Sequence, residues 1–438
     1  MYGKMKYLHL GEEIDLRSYV VTEFYVESDE PMIKVAEALA SESSVGTWTD
    51  LSTMKEDSCS KLSARIFYVG DDDKIIKIAY PIALFEDGSI PQLLSDVTGN
   101  VFGLKEIKNL RVRDIVFPEE YVRTYNGPAF GIEGIRSVMQ IYDRPLLGTI
   151  IKPKVGLNSD EHALVAYEAW VGGVDVVKDD ENLTNQDFNP FEERVVKTMA
   201  MLQKAQDATG KRKMYVPNIS ASVTDMERRA EFVKAQGGTT AMMDILTVGF
   251  AGVQHIRNQN YGLILHGHRA MHGAFTHGTR HGVAMLPIAK AARLSGIDQL
   301  HTGTIIGKME GGREDVSEIN ESMRRPWFGQ KPTMPIASGG VHPGLLPKMI
   351  ELIGNDVIIN LGGGIHGHPD GTTKGAIAAV QAIESVKAGI SLREYAKDHE
   401  ELAKAIEKWG VYGESEVPSK LITYSYAMAL QEPTSKDA

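Results

Sequence analysis

After Asn126-Gly127-Pro128, short apolar runs alternate with longer stretches whose apolar residues recur every three or four positions. That is the pattern of strands and helices in strict succession. Strand-like runs begin near Leu147, Val174, Met214, Met242, Gly262, Gln299, Met334 and Asp356, and helical runs such as Glu161 to Trp170, Pro190 to Ala208, Val283 to Leu294 and Leu345 to Ile353 lie between them. The run Val174, Val176, Val177 is β-branched on both faces, as in a parallel sheet covered by helices. Eight such units over roughly 250 residues predict a (β/α)8 barrel. Before residue 128 the pattern is mixed: strand-like runs at Tyr19 to Val26, Ala64 to Gly70 and Lys74 to Tyr80, with a helical run at Met32 to Ala40, predict an α+β domain. The division is therefore 1–127 and 128–438, the second part ending in a charged helical tail from Leu392 to Trp409.

Composition narrows the class. At 438 residues the chain exceeds one average domain. Apolar residues at 42% and charged residues at 24% are ordinary for a globular protein, and a net charge of −11 argues against nucleic-acid or anionic-membrane binding. The single Cys59 excludes an intrachain disulfide and fits a reducing compartment. Met1 to Glu13 does not read as a signal peptide, and no apolar run approaches a transmembrane span, so a cytoplasmic location is expected.

A barrel carries its active site at the carboxyl ends of its strands. The first end carries Lys152-Pro153-Lys154 and the second Lys178-Asp179-Asp180-Glu181. The fifth has His266-Gly267-His268-Arg269 and then His272, and the sixth has His301 followed by Gly307-Lys308-Met309-Glu310-Gly311-Gly312. The seventh ends Ser338-Gly339-Gly340 and the eighth Gly362-Gly363-Gly364. Any one of these taken alone reads as a solvated charge run or a plain turn. Their shared placement favours one site.

Alternation along a strand points Lys178 and Asp180 to one side, with Glu181 close by. Two neighbouring carboxylates repel unless a cation intervenes, and oxygen-only ligands suit Mg²⁺. Lys178 cannot ligate as an ammonium. It either neutralises the acids or is converted by CO₂ to a carbamate and becomes a third oxygen ligand. Lys152 and Lys154, beside a divalent ion, are candidates for acid–base chemistry or for phosphate binding alone. The glycine turns suit one phosphate, Arg269 and His301 a second, and Lys308 a mobile lid. This equipment predicts Mg²⁺-dependent enolisation of a bisphosphorylated sugar. His266 and His268 also offer a zinc-type His-x-His pair, but on the fifth strand rather than the first, where amidohydrolases carry it.

The motifs GTIIKPKVGL, GGVDVVKDDEN, HGHRAMH, HTGTIIGKMEG, ASGG and LGGG, with ESSVGTWT and GNVFG nearer the amino terminus, closely resemble those of the large subunit of ribulose-1,5-bisphosphate carboxylase/oxygenase, RuBisCO. The likeness spans nearly the whole chain. It implies an α/β fold, a C-terminal (β/α)8 TIM barrel preceded by an N-terminal α+β (ferredoxin-like) domain. It implies Mg²⁺ held by carbamylated Lys178, Asp180 and Glu181, with the carbamate as base for enolisation. Lys152 would protonate the final carbanion, tuned by Lys154, and His268 would assist proton handling. Arg269 and His301 would bind one phosphate, Ser338 a substrate hydroxyl, and Lys308 the new carboxylate. Gly339, Gly340, Gly362 and Gly363, with Thr47 and Trp48, would cradle the other phosphate.

Glu42 and Asn100 match residues that the family supplies from a neighbouring subunit, implying a homodimer or an assembly of dimers. The substrates implied are ribulose 1,5-bisphosphate, CO₂ and a competing O₂. Ile150 stands where many members carry a threonine. The short carboxyl end, HPGLLPKMIELIG and HTGTIIGKMEG resemble the archaeal form III group, which lacks a small subunit and is associated with nucleoside monophosphate salvage. The rival readings are a RuBisCO-like enolase or isomerase without carboxylation, and a silent sugar-phosphate binder. Retention of Lys308, Lys152 and Glu42 speaks against the first, and the unbroken series of charged strand ends against the second.

Overall fold

The structure, a computed structural model, describes residues 6–47, 49, 52–306 and 313–414. Its amino-terminal part holds β1 (Tyr19–Glu27), β2 (Arg65–Val69), β3 (Ile75–Pro81) and β4 (Asn109–Val116). The helix Met32–Glu42 lies between β1 and β2, and Ile90–Val97 between β3 and β4. The antiparallel order β4-β1-β3-β2 is the ferredoxin-like arrangement expected. β4 is absent from the runs read in the sequence. Its alternation of buried Leu110 and Val112 breaks before Ile115, because the register against β1 shifts between Glu23 and Phe24. A bulge of this kind moves one residue off the two-residue period.

The barrel follows as β5 (Leu146–Ile150), β6 (Val176–Lys178), β7 (Met214–Val216), β8 (Thr240–Asp244) and β9 (Ile264–His268). The two-residue β10 (Gly282–Val283) leaves the barrel and pairs in parallel with β4, tying the two halves of the chain together. β11 (Gln299–His301), β12 (Met334–Ser338) and β13 (Ile358–Asn360) complete the set. Eight parallel strands run in the order β7-β6-β5-β13-β12-β11-β9-β8, and an isolated bridge between Asn218 and Met242 joins the two ends.

The inward face changes character along each strand. Leu146, Val176, Met214, Met242, Ile264, Met334, Ile336 and Ile358 fill the lumen, and Ile132, Ile135 and Met139 of the helix Gly131–Met139 pack beneath them. Two residues further on, the same faces carry Lys178, Asp244, His266 and then His268, and Ser338. The period of two converts an apolar floor into a polar mouth with no change of direction. Among the described residues no helix is long and apolar enough to cross a membrane.

Candidate active site

At the barrel mouth Lys152 Nζ donates to Asp180 Oδ2 at 2.8 Å, linking the ends of β5 and β6. Lys178, 1% exposed, donates to the Asp179 carbonyl at 2.6 Å and stands 3.5 Å from Glu181 Oε2. Burial pushes the Lys178 ammonium down against the pull of Glu181, Asp180 and Asp244. Burial alone would raise the Glu181 carboxyl, but Lys178, His268 and Lys154 overcome it and hold it at about 2. Lys154 is the outermost cation, 3.8 Å from Glu181 Oε1.

His268 lies between Glu181, 3.6 Å from Nε2, and Asp244, 3.3 Å from Nδ1. Its Nδ1 accepts from the Ala270 N–H at 3.1 Å, so in the neutral ring the proton sits on Nε2, facing Glu181. Asp244 is a site residue that sequence reasoning passed over, although it ends the fourth barrel strand and the strand-end rule applies to it equally.

A second group runs inward from Ser338. Its Oγ is 2.9 Å from His301 Nδ1, His301 Nε2 is 3.0 Å from His266 Nε2, and His266 Nδ1 is 2.9 Å from Gln299 Oε1. Burial lowers His266 to about 3 and His301 well below its ordinary value, so both rings are neutral at pH 7. The amide oxygen of Gln299 can only accept, which sets every proton in the line: His266 Nδ1 donates to Gln299, His301 Nε2 to His266, and Ser338 Oγ to His301. Ser338 is left with lone pairs toward the mouth. Both nitrogens of His301 are engaged, so a phosphate there requires an exchange of partner.

Arg269 is 9% exposed and donates through Nη1 to the Thr302 carbonyl at 3.0 Å. Among the described residues it has no carboxylate at ion-pair distance, and burial lowers its pKa to about 10. It opens on a cavity of about 900 Å³ that Arg111, Arg113 and His272 also line. Such a cation is arranged for an anionic ligand.

The glycine turns lie beyond β12 and β13. Gly339 and Gly340 have φ of +118° and +70°, a backbone that side-chain-bearing residues rarely adopt. A Cβ on Gly362 would lie 3.3 Å from Lys152 Cε and 3.9 Å from Ile150 Cδ1, so this turn borders Lys152 and the position where many family members carry threonine is filled by an apolar wall. Gly363 has open space around the same position. His366, unread in the sequence, contacts Thr149 Oγ1 through Nε2 at 3.1 Å and ties β5 to the turn after β13.

Asp179 faces the other way. Its carboxylate takes His162 Nε2 at 3.0 Å, the Tyr215 hydroxyl at 2.7 Å, Arg194 Nε at 3.1 Å and the Asn218 N–H at 3.0 Å, all buried. Burial opposes the charge, yet Arg194, His162 and Tyr215 hold the carboxyl well below its usual range. Arg194 also donates to the Asn189 and Thr184 carbonyls, and the Asn218 amide to the Glu181 carbonyl. The outward residue thus anchors the loop whose inward residues form the mouth.

Glu42, Thr47 and Asn100 make no hydrogen bond or ion pair to barrel residues among those described; Glu42 closes the helix Met32–Glu42 and Asn100 is exposed in a 3-10 turn. Trp48 and Lys308 lie outside the described residues.

Residues 12–121 match the ribulose bisphosphate carboxylase large chain N-terminal domain, and residues 131–409 its catalytic domain. A ribulose bisphosphate carboxylase of Methanocaldococcus jannaschii is 48% identical over 92% of this chain and 100% of its own. One from Pyrococcus abyssi is 46% identical over 90% and 94%. The octameric Rubisco of Pyrococcus horikoshii, solved with sulfate, superposes with a TM-score of 0.89 at 45% identity, over 92% of this chain and 96% of its own. The dimeric archaeal Rubisco of Hyperthermus butylicus gives 0.86 at 42% identity, over 92% and 98%. In sequence, in fold and in its likeness to archaeal members, the chain belongs to the ribulose bisphosphate carboxylase large-chain family.

Proposed function

We propose that this carboxylase joins CO₂ and water to ribulose 1,5-bisphosphate, giving two 3-phosphoglycerates, with O₂ competing for the same enediolate. The observation that carries the reading is a buried lysine of lowered pKa among carboxylates at a barrel mouth that also offers two glycine turns and an arginine with no carboxylate at ion-pair distance among the described residues. The likeness to archaeal relatives supports a place in nucleoside monophosphate salvage.

The donor set fits magnesium. Asp180 and Glu181 offer hard oxygens only, and two carboxylates make part of a site. The lowered pKa of Lys178 eases loss of its ammonium proton, and the free amine would then take up CO₂ as a carbamate, releasing a second proton to solvent, and could add the third ligand. Mg²⁺ so held would supply Lewis acidity at the sugar's carbonyl oxygen.

The remaining steps fall to the chain itself. Lys152, between Asp180 and Gly362, gives a proton to the product carbanion. His268, between Glu181 and Asp244, carries protons at the mouth. Ser338, its own proton committed to His301, accepts from a substrate hydroxyl. Arg269, with His301 after a change of partner, meets one phosphate, and the backbone N–H groups of Gly339, Gly340, Gly362 and Gly363 meet the other. Lys154 tunes Lys152, and Lys308 closes over the new carboxylate. Thr47 and Trp48 join the glycines at that second phosphate, and the absence of a hydrogen bond or ion pair from Glu42 or Asn100 to barrel residues among those described supports their supply by a second copy, in a homodimer or an assembly of dimers without a small subunit.

The test is fixation of radiolabelled CO₂ with ribulose bisphosphate after preincubation with CO₂ and Mg²⁺. Labelled phosphoglycerate is expected, and its absence from folded protein overturns the assignment.

A further inference from the structure

The segments that follow the two glycine turns are in direct contact, and a single aromatic side chain touches both. A Cβ on Gly364 would lie 2.2 Å from the Val341 carbonyl oxygen and 2.7 Å from His342 Cα, so the turn after β13 rests on the turn after β12 with no room for a side chain. The His342 ring stacks on Trp409, with centroids 6.0 Å apart and planes at 28°. Trp409 also meets the end of the short helix that follows the second turn, since a Cβ on Gly367 would be 3.5 Å from Trp409 Cζ2, and the adjacent Lys408 donates to the Gly367 carbonyl at 2.5 Å.

The helix that carries Trp409, Glu400–Trp409, is itself fastened. Leu402, Ala405 and Ile406 are buried, and His368 Nε2 meets the Glu401 carbonyl at 3.0 Å. Beyond it the Tyr412 N–H donates to the Gly344 carbonyl at 3.1 Å. His342 Nδ1 is buried with no hydrogen-bond partner, so stacking on Trp409, rather than a hydrogen bond through that atom, holds the ring.

We infer that Trp409 and His342 are positioning residues that set the spacing between the two glycine turns and so the grip on one substrate phosphate. Glycine lets these backbones approach an anion but resists no displacement of its own. The restraint must come from packing, and the stack is where both turns share it. The carboxylate loop after β6 lies on other elements, and the clamped turns approach it only through Gly362, whose Cβ position is 3.3 Å from Lys152 Cε, so the clamp bears first on phosphate binding. This inference rests on the assignment of the turns to phosphate, and the test separates the two.

Trp409→Leu removes the stack. Loss of one aromatic pair is expected to raise KM for ribulose bisphosphate about tenfold. The Mg²⁺-dependent retention of labelled CO₂ on the protein is expected to stay within about twofold of wild type, because the carboxylate loop lies on other elements, and kcat is expected to fall by less than KM rises. Trp409→Phe, which keeps a ring to stack, recovers most of the KM. Hydrogen–deuterium exchange of the substrate-free protein is expected to rise at residues 339–342 and 362–367 together. If the leucine variant does not fold, His342→Ala removes the same stack from the other side and carries the same expectations. Unchanged KM and exchange overturn the clamp, as does a parallel loss of KM, kcat and label retention. Raised exchange in both turns with KM unchanged shows that the stack restrains the turns and overturns their assignment to phosphate instead.

Discussion

Lys152 and Asp180 form an ion pair at 2.8 Å between the ends of neighbouring barrel strands, so the candidate proton donor is held by a carboxylate proposed to bind metal. The pair compensates Asp180, and a divalent cation bound there would compete with the lysine for the same oxygen. Lys152→Met keeps the length of the side chain and removes both the charge and the proton. Carboxylation is expected to fall by roughly 10²- to 10⁴-fold, the usual loss for a general acid. Mg²⁺-dependent trapping of labelled CO₂ is expected to survive or strengthen. A variant that loses trapping along with turnover sinks the view that the two residues compete.

Asp179 and Arg194 are both fully buried, so removing one leaves the other as an uncompensated charge. Arg194→Met is expected to destabilise the chain by about 3–5 kcal/mol. Tyr215→Phe deletes one hydrogen bond to the same carboxylate and is expected to cost only about 1 kcal/mol. Denaturant unfolding of the full chain measures both. Equal costs would show that the carboxylate is not the hub.

The two sides of this loop differ in how far the sequence reveals them. Lys178 and Asp180 are legible from their position, because charge that directly follows a β-branched run at the end of a predicted barrel strand falls where such folds gather their reactive groups. Asp179, between them, is legible only as pointing the other way. Its partners His162, Arg194, Tyr215 and Asn218 are 15 to 39 positions away on separate elements, and no local pattern names them. The same limit hides β10, whose partner in β4 is about 170 positions distant. Asp244 is different, since it follows the same strand-end rule as Lys178 and could have been found by it. The stack of His342 on Trp409 could not, because an aromatic in a charged terminal helix reads as ordinary packing until the turn beneath it is seen.

Acid is expected to weaken the fold in two stages. Burial lowers His266 to about 3 and His342 and His366 to about 4, against an ordinary value of 6.5. Between pH 6.5 and 4 the unfolded chain therefore binds protons that the folded chain refuses, and stability falls as pH falls. Glu181, held at about 2 instead of 4.5, adds a loss of the same sign below pH 4.5. Thermal unfolding across this range should show Tm declining from pH 6.5 downward, and less steeply in His366→Gln. A Tm that is flat or rising on acidification to pH 4 contradicts the neutral, buried state of these rings.

Arg269 carries a cost in the free protein that its ligand is expected to offset. It is buried, without a carboxylate at ion-pair distance among the described residues, and its lowered pKa records the unfavourable desolvation of a lone cation. A methionine at this position has a similar stem and no charge to desolvate. Arg269→Met is therefore expected to unfold at the same or a higher temperature than wild type without substrate, while its KM for ribulose bisphosphate rises roughly ten- to hundredfold, the loss expected of a charge-assisted contact. Added ribulose bisphosphate should raise the Tm of wild type much more than that of the variant. If Arg269→Met is instead strongly destabilised without ligand, the guanidinium serves the fold through its bond to the Thr302 carbonyl. If stability is kept but KM does not move, the phosphate lies elsewhere in the mouth.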